Sequence, residues 1–184
     1  MQVIRTTTIE TKDFQIGDRI SIELNGFGVF TATVHKITDV GALIIFDEYV
    51  TSRPMNDDWT NEGGFEKSDL KKWINTTLLP AFPENLQSHI RELSIPSVGE
   101  MFGHDDEWNE RTFEADSDEQ LPLMKKRCNR VAYLNDNWEW GWLRNATKKN
   151  VSSAYFAVVF TVGDTFYYLA SYSGGVRPEF WLVR

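Results

Sequence analysis

Apolar residues recur at every second position early in the chain. Ile20, Ile22 and Leu24 alternate with polar neighbours, and Phe30, Ala32 and Val34 resume the alternation beyond Asn25-Gly26. A period of two broken by Asn-Gly predicts a hairpin with one buried face. Val40-Gly41-Ala42-Leu43-Ile44-Ile45-Phe46 is then almost unbroken in its apolar character. Such a short run predicts a strand buried on both faces. Residues 14–50 therefore read as a β-meander. From 51 to 67 the pattern lapses, and Pro54, Asn56, Asp57, Asp58 and Gly63-Gly64 predict a loop.

The period changes at Ser68. Leu70, Trp73, Ile74 and Leu78 share one helical face, with Ser68 as N-cap, Asp69 at the positive end of the helix dipole and Pro80 as the stop. Trp73 is a structural residue of that face. Leu86, Ile90 and Leu93 predict a second helix after Pro83. Ser97-Val98-Gly99-Glu100 fits the capping-box pattern and predicts a short third helix through Met101 and Phe102. In the last third, Phe156, Val158, Phe160 and Val162 alternate, and Gly163-Asp164 predicts a two-residue turn. That turn would place Phe160 opposite Tyr167, Val158 opposite Leu169, Val159 opposite Tyr168 and Tyr155 opposite Tyr172. Gly174-Gly175 predicts another turn, and Val176–Val183 a closing strand interrupted by Pro178.

Composition narrows the class of molecule. The 184 residues are 41% hydrophobic and 14% aromatic, which excludes a disordered chain. The length suits one domain spanning 1–184. Lys plus Arg total 19 against 27 Asp plus Glu, a net charge of −8. Direct nucleic-acid binding is disfavoured by that sign. Cys128 is the single cysteine, so no intrachain disulfide forms and a reducing compartment is the simplest setting. Met1–Thr6 lacks the apolar core of a signal peptide, and no apolar run is long enough to span a membrane. A cytoplasmic protein is expected.

The acids are concentrated. Asp105, Asp106, Glu107, Glu110, Glu114, Asp116, Asp118 and Glu119 lie in one stretch whose only base is Arg111, and Lys125, Lys126, Arg127 and Arg130 follow it. The stretch reads as a solvated excursion, and alternatively as a docking face for a basic partner. His35, His89 and His104 show no zinc spacing, and no phosphate loop or nucleophile elbow is present. No metal and no cofactor are expected. Arg144, beside Trp138, Trp140 and Trp142, and Arg177, in Gly175-Val176-Arg177-Pro178, require carboxylate or carbonyl partners. They read as structural clamps between the C-terminal sheet and the helices, with Glu100 a candidate partner. Trp138, Trp140, Tyr167 and Tyr172 form a candidate aromatic docking face.

Five motifs in order resemble one family. They are Ser68–Asn75, Leu93–Glu100, W-G-W-L-R at 140–144, G-D at 163–164, and G-V-R-P at 175–178 followed by Phe180 and Leu182. Together they resemble the domain-of-unknown-function family numbered 6273, from about residue 40 to the end. The sequence departs from that family's pattern at Asn145-Ala146, in place of Ser-Pro, and at Glu179-Phe180, in place of Ala-Leu. The resemblance implies an α+β, C-type-lectin-like domain, common in phages and mobile elements, and it brings no established activity. The expectation is a non-enzymatic protein- or ligand-binding domain with an N-terminal β-meander, two to three helices and a C-terminal antiparallel sheet. Its partner would be a protein, possibly basic in charge. The alternative is an acidic phage-borne inhibitor of a host defence nuclease, of the anti-CRISPR type, that blocks a basic channel.

Overall fold

A computed structural model describes residues 14–183; the reading of Met1–Thr6 lies outside them. The meander forms as its alternation requires, with β1 (Arg19–Leu24), β2 (Gly28–Ile37) and β3 (Gly41–Phe46) paired antiparallel. Asn25-Gly26-Phe27 closes the first hairpin, with Gly26 at φ 80°. All six residues of β3 are buried, as the apolar run predicts. A short strand, β4 (Thr51–Arg53), lies inside the stretch expected to be loop.

Ser68 caps the helical stretch by accepting the Lys71 N–H at 3.0 Å. That stretch runs continuously as α1 (Asp69–Trp73), a π-helical turn (Ile74–Leu78) and α2 (Leu79–Ala81). The wide turn, in which the Leu79 N–H reaches back to Ile74, precedes Pro80, and the helix continues one residue past the proline. The second helix is a correction. Only α3 (Glu84–Gln87) is helical, and Ile90–Ser94 is strand β5. Ile90 and Leu93 are three apart and would face opposite sides of a regular strand. A bulge with Glu92 at φ 53° turns both into the core and so imitates helical spacing. The capping-box helix α4 (Val98–Phe102) forms with both reciprocal bonds. The acidic stretch contains α5 (Glu107–Thr112).

Seven further strands complete the fold: β6 (Ala132–Leu134), β7 (Asn137–Glu139), β8 (Gly141–Ala146), β9 (Tyr155–Val159), β10 (Thr165–Leu169), β11 (Gly174–Val176) and β12 (Glu179–Val183). One sheet has the order β1-β2-β3-β12-β5, a second β10-β9-β8-β11-β4, and β6 pairs with β7 alone. The molecule is thus mixed α+β with short helices. Three C-terminal expectations are corrected. Gly174-Gly175 is strand rather than turn, because a side chain at Gly174 would overlap the Trp140 ring and one at Gly175 the Tyr49 ring. β11 pairs with β8 in parallel, so the second sheet is not purely antiparallel. Pro178 separates two strands in different sheets instead of interrupting one.

The β9–β10 register is the fourth correction. Phe160 and Asp164 close a three-residue loop through the Phe160 N–H to Asp164 carbonyl bond at 2.8 Å, with Gly163 at φ 82°. Tyr168 then faces Phe156, and Tyr167 faces Ala157, a shift of three residues that exchanges the faces.

Two cores result. Ala42, Ile44, Phe46, Trp142, Phe156, Val158 and Phe180 belong to one cluster with the α1–α2 helix. Leu43, Ile45, Leu143, Ala157 and Val159 belong to another with Val98, Met101, Phe113 and Met124. The same strands serve both, even-numbered residues on one side and odd-numbered on the other.

Candidate functional site

Arg144 sits on β8 between three acids. Its guanidinium pairs with Asp118 at 2.6 Å, with Glu100 at 3.2 Å and with Glu179, and donates to the Ile95 carbonyl at 3.1 Å. The structure therefore places Arg144 and Glu100 together, as read from the sequence, and adds Asp118 and Glu179. Burial opposes charge on Arg144, but Glu179, Glu100 and Asp118 raise its pKa above the usual arginine value. Burial pushes Glu179 well above the ordinary carboxylate range, and the Glu100 charge beside it adds to this. Glu179 Oε2 finds no donor, which leaves nothing at that oxygen to offset the burial of a negative charge. Burial raises Glu100 too, against the pull of Arg144. Asp118 shows the opposite balance: burial would raise it, but the Arg144 bond and charge bring it below its usual value. The cluster floors a cleft of about 390 Å³ with Lys36, Lys71 and Trp181 on its walls.

The N-terminus of α4 explains the next layer. Its free N–H groups are met by Ser97 Oγ on Glu100, by Asn145 Oδ1 on Val98 at 2.8 Å and by Asp116 Oδ2 on Gly99 at 3.1 Å. Asn145 Nδ2 returns to Asp116 at 2.7 Å. Asn145 thus joins α4 to the segment that carries Asp116. Gly99 has no room for a β-carbon against Asp116 and Asp118.

The eight acids thus divide. Asp116 and Asp118 turn inward. Asp106 caps α5 by accepting the Trp108 N–H at 2.8 Å, and Glu107 pairs with Arg111 at 2.9 Å. Asp105, Glu110, Glu114 and Glu119 remain at the surface without an ion pair among the described residues.

The four aromatic candidates do not form one face. Trp138 packs on Tyr133 at 4.3 Å in the separate β6–β7 hairpin. Tyr167 stacks between Tyr155 and Trp108 on one side of the second sheet. Trp140 and Tyr172 each pack on Tyr168 on the other side, at 4.5 and 6.1 Å. Phe160 and Phe166 extend this row. The row depends on Tyr168 and Phe166, which the sequence reading passed over because their face follows only from the loop length. Trp73 holds a structural place, packed edge-on against Phe27 at 5.9 Å with Arg53 over its ring.

Arg177 is buried and donates to the carbonyls of Phe46, Asn129 and Arg130 at 2.6, 3.2 and 3.1 Å. It ties β12's approach to the segment before β6. A model described as a domain of unknown function, DUF6273, matches residues 40–184, from β3 through both clamps to the last strand. No curated protein and no solved structure matches the chain. With the match covering more than half its length, the chain belongs to the DUF6273 family.

Proposed function

We propose that this chain is a non-enzymatic binding domain that receives an extended segment of a protein partner along β10. The observation that carries the reading is an edge that no strand of the described residues covers. β10 ends the second sheet, and Thr165-Phe166-Tyr167-Tyr168-Leu169 contains no charge, no proline and no bulge. Edge strands in soluble proteins are normally blunted by such features, and a bare one invites strand addition. Aromatic rings stand on both of its faces, with Phe166 43% and Tyr172 50% exposed. Tyrosine beside open backbone donors suits a peptide, which offers both amides and side chains.

The reading includes a phage or mobile-element origin and a cytoplasmic site of action, and its support is family membership and the single, unpaired Cys128. No helix of the described residues is long and apolar enough to cross a membrane. Kinship with C-type-lectin-like domains belongs to the same reading and is supported by the inward position of β8, β11 and β12 in their sheets. Absence of catalysis is supported by the Arg144 cluster, whose charges are engaged with one another. The nuclease-inhibitor alternative has less to stand on, because Asp106, Asp116 and Asp118 serve the fold.

The test compares tagged wild-type protein with Phe166→Lys and Val151→Lys in affinity capture from the native host. Both substituted positions are exposed. The expected result is a protein retained by wild type and Val151→Lys and lost with Phe166→Lys. Capture unaffected by Phe166→Lys contradicts the reading, as does a dimer in light scattering that Phe166→Lys dissociates, since the occupant would then be a second copy.

A further inference from the structure

His35 and Arg177 bring an unpartnered ring nitrogen and a buried charge to one cavity. His35, on β2, is 3% exposed, and its Nδ1 has no hydrogen-bond partner. Arg177 is 5% exposed and makes no ion pair among the described residues. Three carbonyls meet its donors and Asp47 and Glu179 act on it from beyond pairing distance, but burial outweighs them and lowers its pKa. Arg144 offers the contrast, with three carboxylates around one guanidinium.

Both side chains line a cavity of about 510 Å³, together with Thr33, Tyr133 and Cys128. Two acids border it. Asp47 is engaged by the Thr33 hydroxyl at 2.6 Å and by Arg19 at 3.5 Å, and Glu48 is exposed. Burial, with the Arg177 charge beside it, pushes His35 down to about 3. The ring is therefore neutral at physiological pH, with one nitrogen protonated and able to donate.

We propose that this cavity binds a small organic anion, its oxyanion against Arg177 and His35 and its body along Tyr133, Leu123 and Val131. An anion supplies the missing counter-charge and an acceptor for the ring N–H. The volume exceeds that of a bare inorganic ion and lies in the range of small-molecule sites, roughly 300–1,000 Å³. A carboxylate and a phosphate monoester share the required chemistry. The site is independent of the β10 edge.

Cys128 reports on it directly, being the only thiol, exposed and on the cavity wall. The experiment follows alkylation of Cys128 by iodoacetamide in the presence of benzoate, phenyl phosphate or the neutral benzyl alcohol. The expected result is slowing by an anion, roughly tenfold when it is present at ten times its dissociation constant, and none by benzyl alcohol. Protection by one anion alone assigns the site to carboxylates or to phosphate esters. His35→Leu, folded by circular dichroism and alkylated at the wild-type rate without probe, should lose the protection. Equal protection by benzyl alcohol, protection by neither anion, or full protection of His35→Leu overturns the proposal.

Discussion

Removing the Arg144 guanidinium leaves Glu100, Glu179 and Asp118 facing one another without a cation. Breaking a buried pair from one side is severe, so Arg144→Met should lower stability by about 3–5 kcal/mol in urea unfolding. Glu179 gives a second, signed prediction. Its folded pKa is raised above the ordinary 4.5, so its stabilising contribution is complete below that value and is lost as pH rises through the folded value. Glu179→Gln keeps a donor toward Glu100 and an acceptor for Arg144 without a proton to lose. Its melting temperature should fall less than that of wild type between pH 5 and pH 8, roughly the span above an unperturbed carboxylate. A parallel fall would contradict the raised pKa of Glu179. Partnership of Arg144 with Glu100 was legible because a capping-box acid and an arginine among tryptophans both need partners. Asp118 and Glu179 were not legible, since they reach Arg144 across 26 and 35 residues with no local signal.

Elements were read most accurately where period and punctuation agreed. β1 to β3 and α4 carry both an apolar pattern and a turn or cap residue, and they form as read. β5 was misread because a bulge reproduces helical spacing, and the β9–β10 register because Thr161-Val162-Gly163 closes with three residues. Gly163 is the position that fixes this loop. At φ 82°, and with Arg127 and Val131 where a β-carbon would sit, an alanine there is both strained and crowded. Gly163→Ala should destabilise by about 1 kcal/mol or more, read as a lower urea midpoint. An unchanged midpoint would mean that the loop, and with it the placement of Tyr168 and Phe166, differs from this account.

The two cores share their walls, and this has a consequence for the molecule as a whole. Trp142 and Leu143 are neighbours on β8, yet one is packed into the first cluster and the other into the second. Trp142→Ala should cost about 3–5 kcal/mol and Leu143→Ala about 2–5 kcal/mol. Both variants should still melt in one transition, because neither core can lose β3, β8 or β9 without exposing the other. Separate transitions by fluorescence and far-ultraviolet dichroism would contradict the shared-wall architecture. Among the described residues, this architecture leaves β10 open as the strand at the limit of the second sheet. Hydrogen exchange across Thr165–Leu169, measured with and without the captured partner, tests the central claim most directly. The account predicts that the amides on the outer side of β10 become protected when the partner is present. Unchanged exchange there, with protection appearing elsewhere on the surface, would contradict it.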